Sequence, residues 1–140
     1  MTGLHKTSPA AGSGTILLVE DEAPLRNLIQ CMLVQLGYGV LIATNGQQGV
    51  EAFRQFHSTL DLVVLDMVMP VMGGREAFEI MTGLDPTVPV LLSSGSPREE
   101  DVLEMRKHGL AGFIPKPFGV QELGRVIGAI LRHRPSPAAG

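Results

Sequence analysis

The sequence predicts one α/β domain, a doubly wound, five-stranded parallel sheet with helices on both faces, and three observations carry that expectation. Short apolar runs alternate with longer stretches whose apolar residues recur at helical spacing, the pattern of repeated βα units. The run DLVVL is apolar without alternation, as a strand buried on both faces must be. The chain has 140 residues, 44% of them hydrophobic, with a mean hydropathy of +0.22, which suits a single domain with a real core and excludes global disorder.

Taken in order, the first strand is TILLV, 15–19. Glu20, Asp21 and Glu22 follow, then Pro24, whose missing N–H costs nothing in a helix's first turn. Leu25, Leu28, Ile29, Met32 and Leu36 recur at helical spacing, and Gly37 is placed to close that helix. Cys31 lies on the same helix and is expected as a small buried hydrophobe. Residues 40–43 form the second strand, Asn45 caps a helix carrying Val50, Phe53 and Phe56, and DLVVL, 61–65, is the third strand, ending at Asp66. A turn over 70–74 leads into a short helix, 74–82, and then the strand VPVLLS, 88–93. Ser96 to Glu99 reads as a capping box opening a fourth helix that Gly109 closes. Gly112 to Pro115 is the fifth strand, Lys116 and Pro117 turn the chain, and Val120, Leu123, Ile127, Ile130 and Leu131 mark the last helix. The folded unit is therefore 15–134, between small-residue segments at 1–14 and 135–140 that read as flexible tails.

Eleven Lys and Arg against fourteen Asp and Glu give a net charge of -3, the wrong sign for a nucleic-acid footprint. The six aromatics sit within apolar patterns rather than along a basic face, so no base-stacking groove and no direct nucleic-acid partner is expected. No apolar run approaches the roughly 18 residues needed to cross a bilayer, so membrane insertion is not expected. The first fourteen residues lack a secretory core, and a single cysteine cannot form an internal disulfide, which points to the cytoplasm. His5, His57, His108 and His133 do not cluster and read as surface residues.

In an open parallel sheet, ligands bind beyond the carboxyl ends of the strands, where the strand order reverses. Those ends carry Glu20 and Asp21, Asp66, Ser94 and Lys116. In the 2-1-3-4-5 order the first and third strands are neighbours, which brings the three acids together. Two unit charges about 4 Å apart interact by about 4 kcal/mol at an effective dielectric near 20, and Lys116 alone cannot offset three acids. A divalent cation is the natural complement, and an all-oxygen site with room for water suits Mg2+.

VEDE at 19–22, LDMVMP at 65–70, Ser94-Gly95 and Lys116-Pro117-Phe118 together resemble the receiver (CheY-like) domain of bacterial two-component response regulators. The resemblance spans nearly all of 15–134. It implies that Asp66 accepts a phosphoryl group from a histidine kinase or histidine phosphotransfer domain. Glu20, Asp21, Asp66 and the Val68 backbone carbonyl would hold Mg2+, and Ser94 and Lys116 would contact the phosphoryl oxygens. It further implies a cis bond before Pro117, a switch made of Ser94 and Phe113, and an output face on the fourth helix, fifth strand and fifth helix. That face would meet a downstream effector or a second copy of the chain, in a stand-alone regulator or the C-terminal receiver of a hybrid kinase.

Bland readings compete at each position. Glu22 is best read as a helix cap, Phe113 as core as much as switch, and the methionines at 67, 69 and 72 as packing groups. Ser93 could replace Ser94. Among other functions, a haloacid dehalogenase-type Mg2+-dependent phosphatase needs a second Asp where Val68 stands. A flavodoxin-like phosphate loop would meet repulsion from residues 20–22, and a dinucleotide fingerprint lacks its third glycine at Leu17. Two positions depart from the usual receiver: Glu20, where many carry Asp, and Gly73, where an acid is common. Because Val68 offers no polar group to orient water, a long-lived phospho-Asp66 is expected.

Overall fold

A computed structural model describes residues 14–134. The tails expected at 1–14 and 135–140, and His5, lie outside the described residues apart from Gly14, whose carbonyl accepts the Gly39 N–H at 2.9 Å. Five strands alternate with five helices: β1 (Thr15–Val19), α1 (Ala23–Gln35), β2 (Gly39–Ala43), α2 (Gly46–Phe56), β3 (Leu62–Asp66), α3 (Gly74–Leu84), β4 (Val90–Ser94), α4 (Glu99–Lys107), β5 (Gly112–Pro115) and α5 (Val120–Arg132). The sheet is parallel throughout and ordered 2-1-3-4-5, as the sequence predicts.

Alternation along the strands divides the core into two layers. Leu17, Val63, Leu65, Val90 and Leu92 face α2 and α3, packing with Phe53, Phe78 and Met81. Ile16, Leu18, Leu62, Val64, Leu91 and Ile114 face α1 and α5, packing with Ile29, Leu33, Leu123, Ile127 and Leu131. β1, β3 and β4 are buried almost from end to end, which is why their sequences lack a polar face.

Most boundary signals act as their chemistry dictates. Asn45 caps α2 by accepting the Gln48 N–H at 2.8 Å. Gly37 and Gly109 take positive φ after α1 and α4, in the left-handed closing turns expected of glycine. The capping box at Ser96 does not form. The Ser96 N–H is held by the Ser94 hydroxyl, the residue before Pro97 is pushed towards extended backbone, and α4 starts at Glu99 with Arg98 as an uncapped N-terminus. β4 starts at Val90 rather than 88 and runs through Ser94; Pro89 has no N–H for the ladder and contributes its carbonyl to the Val63 N–H. α3 extends to Leu84, two residues beyond the expected end.

Two side chains on α1 differ from expectation. The helix turns Ile29 and Leu33 into the core, which leaves Cys31 exposed rather than buried and places Leu28 largely in solvent. His57 is also more than a surface residue: Nδ1 lies 2.6 Å from Asp85 Oδ2 and its ring stacks on Phe53 at 5.9 Å.

Candidate functional site

Strand parity assembles the site. Leu18, Val64 and Ile114 share the α1/α5 face, and two residues further along each strand stand Glu20, Asp66 and Lys116 on that same face. The ladder continues to this edge: Glu20 N–H donates to the Ala43 carbonyl, Met67 N–H to the Ser93 carbonyl, and Lys116 N–H to the Ser94 carbonyl. Lys116 Nζ reaches over the end of β4 and lies 3.0 Å from both Glu20 Oε1 and Asp66 Oδ1. The Lys116-Pro117 bond is cis, as the resemblance implied.

Glu20, Asp21 and Asp66 each offer a carboxylate oxygen within 4.8 Å of the others. Two ligands on opposite sides of Mg2+ are about 4.2 Å apart, twice the usual Mg–O distance, so this donor set closes on one ion with small side-chain adjustments. Burial raises the pKa of Glu20 and of Asp66, and although Lys116 pulls both down, neighbouring acids push them up again: Asp66 acts on Glu20, and Asp21 acts on Asp66. Burial works against the Lys116 charge, yet its hydrogen bonds and attraction to Asp66 and Glu20 outweigh it and leave its pKa above the ordinary lysine value. One cation is thus shared between more anions than it can satisfy.

Several supporting residues were missed from sequence. Arg26 Nη1 donates to the carbonyls of Glu20 (3.0 Å) and Asp21 (3.2 Å), bracing the acidic turn from α1; its place one turn after the acids was the available signal. Gly74 packs so tightly that a Cβ would collide with the Asp66 carbonyl, and its N–H donates to the Met67 carbonyl at 2.8 Å. Gly46 stands equally close to Met72 on the far side of the same loop. Val71, 80% exposed, holds φ +72, a strained state for a β-branched residue. Val68 is 73% exposed beside it.

Ser94 does not touch the acids at rest; its Oγ accepts the Ser96 N–H at 3.2 Å. Ser93 Oγ is buried with no hydrogen-bond partner among the described residues. Phe113 packs against the α2/α3 layer and lines a groove with Pro97, Glu99, Val102 and Leu103, so it touches both core and surface.

Residues 16–127 match the response regulator receiver domain family, a stretch that contains every one of these groups. The chain belongs to that family. It is 34% identical over 139 residues to the autoinducer 1 sensor kinase/phosphatase LuxN of Vibrio campbellii, covering 96% of this chain but only 16% of that protein. It is 33% identical over 104 residues to the chemotaxis protein CheY of Thermotoga maritima, 74% of this chain and 85% of the relative. The receiver domain of the sensor histidine kinase PA1611 from Pseudomonas aeruginosa, solved with magnesium in its active-site cleft, superposes with a TM-score of 0.77 at 26% identity, covering 86% of this chain and 98% of that one. The receiver thus occurs both inside long kinases and as a small regulator; receiver domains bind Mg2+ in an acidic pocket, and Glu20, Asp21 and Asp66 form an acidic cluster here. Among the described residues, no helix is long and apolar enough to cross a membrane.

Proposed function

We propose that this receiver takes a phosphoryl group onto Asp66 from a histidine kinase or histidine phosphotransfer domain and passes the change to a partner through α4, β5 and α5. The observation that carries the reading is the sharing of Lys116 between Glu20 and Asp66 with Asp21 alongside. Glu20, Asp21, Asp66 and the Val68 carbonyl would hold Mg2+, which when bound supplies the positive charge that a transferring phosphoryl group needs.

Burial makes the Asp66 carboxylate more basic than an exposed one, hence a better nucleophile, and Lys116 holds Oδ1 in place. As Asp66 Oδ bonds to phosphorus, the bond from phosphorus to the donor nitrogen or acyl oxygen breaks and its electron pair leaves with the donor. Transfer from an acyl phosphate needs no base on this chain. Phosphorylation adds about -1.5 to -2 charge beside Glu20 and Asp21, so Lys116 turns towards the phosphoryl oxygens. The Ser94 hydroxyl leaves the Ser96 N–H for the same oxygens. That shift moves the start of α4 and frees Phe113, reshaping the groove it lines, a face that also carries the exposed Leu103 and would meet an effector or a second copy. Val68 has no polar group to orient water, which favours a long-lived phosphoryl state. A receiver of this kind works within the cytoplasm.

The test is incubation with a small acyl phosphate and Mg2+, followed by intact mass and peptide mapping. One phosphoryl unit on the peptide containing Asp66, absent with a chelator and absent in Asp66→Asn, is the expected result. Equal uptake by wild type and Asp66→Asn would overturn the reading.

A further inference from the structure

Granting Asp66 as phosphoacceptor, we propose that Arg75 and Asp101 form a tether between α3 and α4 that holds the Ser94 segment in its resting place and so slows the response. Arg75 Nη1 donates to Asp101 Oδ1 at 3.1 Å, linking residues 26 apart in sequence. The two ends of this link are not equivalent. Arg75 follows Gly74, which is packed against the Asp66 and Met67 backbone, so its end is fixed to the phosphoacceptor loop.

Asp101 lies in the first turn of α4, one turn beyond the Ser94–Arg98 loop. α4 is weakly anchored: Met105 is its one buried residue, Val102 packs at the core's edge, and its first turn gathers Glu99, Glu100 and Asp101. Among the described residues, Arg75 is the cation that reaches this acidic turn from another element, while Arg98, 3.9 Å from Asp101, belongs to the same loop. With the tether closed, the segment from Ser94 to Asp101 is held at both ends, by the Lys116 N–H to the Ser94 carbonyl and by Arg75 to Asp101. Its Ser94 hydroxyl then stays on Ser96 instead of turning towards Asp66. Opening the tether lowers the cost of that turn, so it shifts the resting population towards the responsive one. Arg75 and Asp101 act through Ser94 and are positioning residues.

The test pairs hydrogen exchange of residues 99–107, measured before phosphorylation, with the initial rate of mass gain from an acyl phosphate in Mg2+. Arg75→Ala and Asp101→Asn are each expected to speed exchange there and to raise the rate about two- to five-fold, the range open to a partly exposed ion pair. The double variant should go no further than either single one. Arg75→Lys, which keeps the charge, should stay near wild type, and so should Glu79→Ala, which removes only the neighbouring pair of Arg75 within α3 at 3.6 Å. High salt should erase the gain. Variants that match wild type or slow down, in a wild type that does gain mass, would overturn the tether alone. A wild type that gains no mass would overturn the phosphoacceptor reading beneath it.

Discussion

The two edges of the sheet treat buried acids in opposite ways. At the amino-terminal edge, Asp61 accepts the Thr15 N–H at 2.8 Å and Arg134 Nη1 at 3.1 Å, so that among the described residues a cation and a backbone donor meet this acid. Nearby, Asp85 is partly buried, which raises its pKa, but the Thr87 hydroxyl, His57 and the Thr87 N–H outweigh that and leave it below the ordinary value. At the carboxyl edge, Glu20 and Asp66 share Lys116 with Asp21 alongside, and burial leaves Glu20 and Asp66 above their ordinary values. The same residue types therefore brace the fold at one edge and leave the other short of positive charge. On the proposed function, the unfinished edge is the one that would admit a cation and a phosphoryl group.

The largest effect that sharpens this contrast is on stability. Asp61→Asn removes the charge that Arg134 is buried against, and unfolding by denaturant should show a loss of about 3 kcal/mol. Asp66→Asn, measured the same way without Mg2+, should leave stability unchanged or raise it, because it relieves crowding. A loss of similar size at both positions would erase the distinction. Next in size, Gly74→Ala forces a Cβ against the Asp66 carbonyl and should lower stability by about 2–3 kcal/mol, while Gly83→Ala, with open space around it, should not.

Much of this contrast was legible in the sequence, because the apolar runs mark where each strand ends. Those strand ends, with ligands expected beyond the carboxyl edge, placed Glu20, Asp66 and Lys116 together before any coordinates. What escaped were features set by close approach between distant segments: the Gly46 and Gly74 contacts, the Arg26 brace, and the phase of α1 that exposes Cys31. The Ser96 capping box failed for a related reason. A local motif lost its donor to a neighbouring hydroxyl and was overridden by the proline that followed. Val71 gave no sign of its positive φ, since the conformation is imposed by the loop and opposed by the residue.

That strain supplies a smaller prediction: Val71→Asn, a residue that tolerates left-handed backbone, should raise stability by about 1 kcal/mol. pH separates the edges by sign. The folded-state pKa of Asp85 is lowered, so between the folded and unfolded values the unfolded chain binds more protons; the stability Asp85 contributes is present above its unfolded pKa and is lost as pH falls through its folded pKa. Glu20 and Asp66 have raised folded values, so there the folded chain binds more protons and acidification favours folding. Stability profiles should therefore show Asp85→Asn losing less than wild type on the acid side, and Asp66→Asn lacking part of the gain seen as pH falls through the raised folded-state pKa of Asp66.

The most direct measurement is Mg2+ titration by calorimetry, with the melting temperature followed in parallel. A single binding event that raises the melting temperature of wild type, is lost in Asp21→Asn and is strengthened in Lys116→Met, where no ammonium competes for Glu20 and Asp66, is what a charge-deficient edge requires. Binding that is absent from wild type, or indifferent to both substitutions, would contradict it.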